Sequence, residues 1–232
     1  MLLNSITDIG VKRSDNQDNF WSMRGLYDDK ELGVICLCDG MGGLDDGALA
    51  SSLVVSCVKE FISSGEIELK DLEFKIKEVN KDLYFRSKKS SKSLGTTCTI
   101  LLCFDGDYHI LHVGDSRCYR IRGSEVTVLT DDHTVINKYK KEGRELPPHL
   151  VKKYKNMLTR CIGVSDRVEL DYYVGTYSSD DTFLVCSDGF WHTFESKLKN
   201  TNLDLTGNLE VLVKECISNG ETDNITVSIL KI

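Results

Sequence analysis

Three times in this chain a short apolar run ends in an aspartate next to a glycine. Asp39 follows residues 34–38 and precedes Gly40; Asp115 follows residues 110–113 and Gly114; Asp188 follows residues 183–186 and precedes Gly189. Asp223, just before Asn224 and the last apolar run, is the mirror case at a strand start, and Asp18 lies in an Asn16-Gln17-Asp18 turn. Strand ends that meet at one edge of a sandwich would bring these five carboxylates together. An Asp-Gly pair alone marks a turn, and Asp105-Gly106 is read as one. Repetition at the ends of apolar strands sets the others apart.

The remaining pattern keeps strands and helices separate. Residues 32–38 read as a strand that stops at Asp39-Gly40-Met41-Gly42-Gly43, a glycine loop where backbone can approach a ligand closely. Leu49, Leu53 and Cys57 step by four along a helix that ends before Gly65, and Leu72, Ile76, Val79 and Leu83 mark a second. Residues 97–104 and 108–113 pair around Asp105-Gly106, and residues 118–121 and 125–129 around Arg122-Gly123-Ser124. A strand over residues 182–187, a helix over 209–218 and a closing strand over 225–230 complete the reading, while residues 6–18 read as a short polar segment. Strand pairs joined by tight turns, with helices segregated, give an α+β class with antiparallel sheets. Residues 131–157 interrupt the pattern: charged, holding both prolines, with a helical run only near 136–141, they read as a flap or lid.

At 232 residues, 41% hydrophobic and 28% charged, the chain is sized and composed as one globular domain, 1–232. No apolar stretch is long enough to span a bilayer and no secretory signal opens the chain, so a cytoplasmic protein without a membrane partner is expected. The formal net charge of -7 disfavours nucleic acid as a partner. The basic run over residues 86–92 reads as a solvated helix end and loop rather than a docking patch. The nine cysteines are scattered through apolar runs and read as small buried hydrophobes. Cys36 and Cys38, two apart, share one face of a strand and lack the spacing of a zinc knuckle.

Converging carboxylates repel and raise one another's pKa values unless cations lie among them. Oxygen ligands without His or Cys point to hard divalent ions, Mn²⁺ or Mg²⁺. Two such ions can share a water, lower its pKa and direct the hydroxide at phosphorus, which hydrolyses a phosphate ester with no covalent intermediate. Arg13, a few residues before Asp18, is a candidate phosphate clamp, because a guanidinium forks phosphate oxygens. His109 and His112 are read as packing or edge residues, His133 as a flap-surface residue, and Trp21 and Trp191 as core or cleft-wall aromatics.

In order along the chain stand Thr7-Asp8-Ile9-Gly10 with Arg13 and Asn16-Gln17-Asp18, the glycine loop at Asp39, Gly95-Thr96-Thr97, Val113-Gly114-Asp115-Ser116-Arg117, Leu158-Thr159-Arg160, Ser187-Asp188-Gly189 and Asp223-Asn224-Ile225-Thr226. In this order they resemble the type 2C metal-dependent serine/threonine protein phosphatase family (PPM) in its short bacterial form. The resemblance implies a four-layer αββα sandwich, two antiparallel β-sheets flanked by helices, that hydrolyses phosphoserine and phosphothreonine in phosphorylated proteins, the products of a serine/threonine kinase. It implies that Asp39 bridges two ions and the Gly40 carbonyl binds one, that Asp188 and Asp223 complete the first, that Asp18 serves the second through water, and that Asp115 with Asp188 holds a weaker third. Arg13 grips the substrate phosphate, the protein is a monomer, and residues 131–157 form the family's flap. Met41 stands where animal members carry a histidine proposed as general acid, which leaves leaving-group protonation to metal-bound water. Before Leu158 the chain reads Lys152-Lys153-Tyr154-Lys155-Asn156, unlike the His-Pro and Arg-Asn stretch common in bacterial relatives. The alternatives are a phosphatase of phosphotyrosine or small phosphoesters, and a non-catalytic phosphoprotein-binding module on the same fold.

Overall fold

The computed structural model describes residues 1–41, 46–90, 92–198 and 209–232; Gly42 and Gly43 of the glycine loop and Ser91 of the basic run lie outside the described residues. The chain runs β1 (Leu2–Asp8), β2 (Asp18–Tyr27), β3 (Lys30–Asp39), α1 (Gly47–Ser63), α2 (Leu69–Ser90), β4 (Cys98–Phe104), β5 (Asp107–Val113), β6 (Arg117–Arg122), β7 (Glu125–Val128), α3 (Val135–Lys141), α4 (Pro148–Tyr154), β8 (Asp171–Thr176), β9 (Asp181–Cys186), α5 (Asp188–Leu198), α6 (Leu209–Ser218) and β10 (Ile225–Lys231). The strands form two antiparallel sheets of five, one in the order β1-β10-β9-β6-β7 and the other β2-β3-β4-β5-β8.

Strand β3 shows why the sheets stack. Successive side chains on a strand point to opposite faces. Val34, Cys36 and Cys38 join a cluster with Ala50, Val54 and Val58 of α1 and Leu72, Ile76 and Leu83 of α2. Ile35 and Leu37, on the other face, meet Phe183, Val185 and Leu230 of the facing sheet. Both faces are apolar, so the strand is buried between a helix layer and a second sheet. That second sheet repeats the scheme: Leu184, Cys186 and Val227 pack on Phe190 and Phe194 of α5 and Val213 of α6. The outcome is the helix, sheet, sheet, helix sandwich that the family resemblance implies. Helix α1 starts at Asp46, whose carboxylate accepts from the Leu49 N–H at 3.3 Å.

The differences from the sequence reading lie at the sheet edges and after Asp188. Residues 6–18 are not one polar segment: residues 2–8 are β1, paired with β10 from Leu2↔Lys231 to Asp8↔Ile225, and Asp18 begins β2. Strands β1, β2 and β8 are edge strands. Burial alternates along β1 and β8, but polarity does not follow it: Leu2, Leu26, Tyr172 and Val174 are exposed, while Ser5, Gly25 and Asp171 face inward, so no period of two shows in the residues. Helix α5 begins at Asp188 itself, its Phe190 and Phe194 one turn apart and stacked at 4.7 Å. Within residues 131–157, a second short helix, α4, begins at Pro148 with Pro147 as its N-cap. Residues 86–90 of the basic run form the end of α2, where Arg86 pairs with Asp82 and Lys88 lies over Tyr84.

The two sheets are held by the apolar layer between them, and Leu101, fully buried in it, is a direct probe. Leu101→Ala should cost about 2–5 kcal/mol, read in thermal unfolding as a fall in Tm of about 2–4 °C per kcal/mol. Leu26→Ala, at a side chain 72% exposed, should change stability by no more than about 0.5 kcal/mol.

Candidate active site

The strand ends named above gather at one end of the sandwich. Asp18, first residue of β2, stands directly opposite Asp39, last residue of β3. Asp115 lies in the short crossing from β5 to β6, hence from one sheet to the other. Asp188 follows β9, and Asp223 precedes β10, two neighbouring strands of the facing sheet. The cleft between the sheets is thus walled by carboxylates from both. A cavity of about 300 Å³ opens there, lined by Asp39, Asp115, Asp188 and Asp223 with Arg13, Gly40, Met41 and Thr97, and roofed by Asn156 and Leu158. A cavity of about 400 Å³ on the outer face of the β2–β8 sheet, among Tyr27, Phe104 and Glu68, has no such set of converging donors.

Each carboxylate is positioned by named neighbours. The Thr226 hydroxyl donates to Asp18 Oδ2 at 2.6 Å, and the Thr7 hydroxyl stands 2.7 Å from that of Thr226. The other oxygen, Asp18 Oδ1, is buried without a hydrogen-bond partner. The Asp39 N–H donates to Thr97 Oγ1 at 2.9 Å, and the Thr97 N–H and Thr96 hydroxyl both donate to Asp39 O. Asn224 ties the opening loop to the cleft, accepting from the Gln17 N–H and donating to Ile9 O and Asp15 O. Arg13 forks Asp223, with both N–H···O distances 2.7 Å. Gly40 sits so close to neighbouring backbone that a Cβ there would meet Gln17 O at 2.5 Å and Gly47 O at 2.6 Å. Gly114 has φ of +116°, and a Cβ would fall 2.5 Å from the Thr97 side chain.

Burial and mutual repulsion dominate the electrostatics. Burial pushes Asp18 up to about 6, against the Thr226 hydroxyl, which favours the ionised form. Asp188 is raised to about 6, again chiefly by burial, with His192 opposing. Asp115 is raised to about 8 by burial and then by the charge of Asp188. Asp39 rises well above the ordinary range, first through burial, then through Asp18, Asp188, Asp115 and Asp223. Asp39 and Asp188 keep part of their surface open, and that surface faces the cavity. No trio of these carboxylate oxygens is found within 4.8 Å of one another among the described residues. An all-oxygen donor set, an unpartnered buried oxygen on Asp18 and mutually raised pKa values fit a hard divalent cation.

All six residues read from the sequence, Arg13, Asp18, Asp39, Asp115, Asp188 and Asp223, come together here, with Gly40 beside them. Thr97 and Thr226 sit in the motifs already noted, yet their task of orienting Asp39 and Asp18 needs the cross-strand register to be seen. His133 is a correction. It is buried rather than on the flap surface: its N–H donates to Gly114 O at 2.7 Å, its Nδ1 accepts from the Gly114 N–H at 3.0 Å, and Nε2 faces Asp171 at 3.0 Å. It therefore fixes the backbone beside Asp115. His112 and His109 are packing residues, as expected, the first buried and the second stacked on Tyr172 of the neighbouring strand β8. Trp191 is a cleft-wall aromatic: its indole N–H donates to Asp115 O at 2.9 Å, and the Arg117 guanidinium lies 3.5 Å over its ring.

Comparison with known proteins agrees with this geometry. The family model for protein phosphatase 2C matches residues 11–218. The serine/threonine phosphatase stp of Listeria innocua serovar 6a is 31% identical over 242 residues, with 97% of this chain and 93% of that protein covered. Protein phosphatase PhpP of Streptococcus pneumoniae serotype 2 is 30% identical, with 99% and 97% covered. The solved structure of the serine/threonine phosphatase Stp1 from Staphylococcus aureus has a TM-score of 0.84 at 26% identity, over 99% of this chain and 94% of that one. The family match spans four of the five aspartates and eight of the ten strands, all but β1 and β10, and the structural match covers 99% of the chain. The chain belongs to the protein phosphatase 2C family of serine/threonine phosphatases.

Proposed function

We propose that residues 1–232 form one catalytic domain that removes phosphate from phosphoserine and phosphothreonine in proteins, with Mn²⁺ or Mg²⁺ held by Asp18, Asp39, Asp115, Asp188, Asp223 and the Gly40 carbonyl. The observation that carries this reading is the meeting of five remote carboxylates in one cleft, one of them with an unpartnered buried oxygen, beside a single guanidinium. Cations bound there would neutralise the carboxylates, polarise phosphoryl oxygens and lower the pKa of a coordinated water. Two ions are expected, with a weaker third at Asp115 and Asp188.

The protein's own groups have distinct tasks in this reading. Asp39, whose backbone is held by Thr96 and Thr97 at the centre of the cluster, would be a ligand to the bound cations. Thr226 keeps Asp18 turned so that Oδ1 is free to bind. Arg13 exchanges part of its pairing with Asp223 for the substrate phosphate, a bidentate contact that orients the ester. Met41 has no proton to give, so no side chain at that position acts as the acid. Residues 131–157 form the flap; Asn156 and Leu158 already roof the cavity, and this segment selects the peptide around the phosphorylated residue. The substrates are phosphoproteins made by a serine/threonine kinase, and the protein acts as a monomer in the cytoplasm, in keeping with nine unpaired cysteines.

Hydrolysis of a phosphothreonine peptide should rise with added Mn²⁺ and stop with chelator, and release from phosphoserine and phosphothreonine should exceed release from phosphotyrosine. No metal-dependent turnover on any of the three would point to a binding module instead. Asp39→Asn should lower kcat by on the order of 10³-fold or more while leaving the chelated protein at least as stable as wild type, because it removes one charge from a self-repelling group. Arg13→Ala should raise KM for phosphopeptides by about 10–100-fold, and an unchanged KM would remove Arg13 from the site.

The pH response of the metal-free protein follows from the raised carboxylates. Asp18, Asp115 and Asp188 hold protons in the folded state that the unfolded chain has released. Their contribution to stability is therefore full below about pH 4 and is lost as pH climbs through the folded values near 6 and 8. In chelator, Tm should fall between pH 5 and pH 8, and saturating Mn²⁺ or Mg²⁺ should remove most of that fall.

A further inference from the structure

Away from the carboxylate cleft, three thiols meet that the sequence spacing keeps apart. Cys36 and Cys38 lie on the face of β3 that packs under α1 and α2. Cys98 opens β4, and the register of Cys36 with Ile100 and Leu37 with Thr99 sets it across from Cys38. The three Sγ atoms lie within 4.8 Å of one another, and all three residues are fully buried. The surroundings are apolar, with Ala50, Val54 and Val58 in the same cluster.

We propose that Cys36, Cys38 and Cys98 form a buried thiolate site for a soft divalent cation, Zn²⁺. A tetrahedral ion with Zn–S bonds of about 2.3 Å holds its sulfurs about 3.8 Å apart, so the trio needs to close by no more than about 1 Å. Thiolate donors select a soft ion, whereas the aspartate cleft selects a hard one, so the two sites sort metals by donor chemistry. Its place gives the ion a mechanical task. Cys38 immediately precedes Asp39, and Cys98 immediately follows Thr97, whose Oγ1 accepts from the Asp39 N–H. An ion here pins β3 to β4 at the point from which Asp39 projects.

The test uses the full chain, stripped of metal by chelator in the presence of reductant and titrated with Co²⁺ as the probe. Thiolate ligands give a sulfur-to-cobalt charge-transfer band that carboxylates cannot give, so Co²⁺ in the aspartate cleft does not interfere. One equivalent of Co²⁺ should raise the band, and Zn²⁺ should bleach it. Cys98→Ser should abolish the band, while Cys216→Ser, at a buried cysteine of the other helix layer, should leave it unchanged. The proposal is overturned by absence of the band in wild type, by its survival in Cys98→Ser, or by peptide mapping that finds Cys38 and Cys98 joined as a disulfide. Should Cys98→Ser not fold, the band's intensity in wild type decides: it counts the thiolates on cobalt, three supporting the site and fewer overturning it.

Discussion

Like charges confined to one cleft push against each other, and Asp39 feels four neighbouring carboxylates at once. That repulsion has to be resisted by something stiffer than the cleft itself. The resistance comes from the apolar layer between the sheets, where Ile35, Leu37, Leu101, Ile110, Phe183 and Val185 are fully buried. Packed side chains of this kind do not yield smoothly, so strand ends anchored in them stay where the ladder puts them. The carboxylates are at the rim because the residues just behind them are locked in the core.

The layout of the ladder determines which aspartates can meet. Antiparallel pairing of β2 with β3 sets Asp18 opposite Asp39, and pairing of β9 with β10 brings the approach to Asp188 alongside the exit from Asp223. Asp115 is different, because it sits where the chain leaves one sheet for the other. Hydroxyls of Thr7, Thr97 and Thr226 line the same strand ends: Thr226, backed by Thr7, donates to the Asp18 carboxylate, while Thr97 accepts from the Asp39 backbone N–H. A neutral hydroxyl such as that of Thr226 orients an anion without neutralising it.

Much of this was legible in the residues. Central strands announce themselves, because β3, β4 and β9 are buried on both faces and read as unbroken apolar runs. The aspartates at their ends are visible for the same reason. Edge strands β1, β2 and β8 were not, since apolar residues such as Leu2, Leu26, Tyr172 and Val174 sit on their exposed positions and mask the alternation. His133 escaped for another reason: its value depends on Gly114, nineteen positions earlier, whose N–H and carbonyl it satisfies together. The thiols of Cys36, Cys38 and Cys98 likewise become neighbours only through pairing of β3 with β4. Where a relation runs across strands rather than along one, local spacing carries no trace of it.

The segment over the cavity closes on itself at a narrow waist. Thr134 bridges Leu158, the Val135 N–H donates to Met157 O, and the Thr159 N–H donates to His133 O. Both ends of the excursion are therefore tied together before the chain departs, and the waist is moored to the glycine beside Asp115 through His133. Changing the length of a closed loop costs little once its ends are fixed, about 0.6 kcal/mol for each doubling. What lies between residues 135 and 157 is thus free to drift in evolution, like an interchangeable tool head on a constant shaft, while the chemistry beneath it is kept.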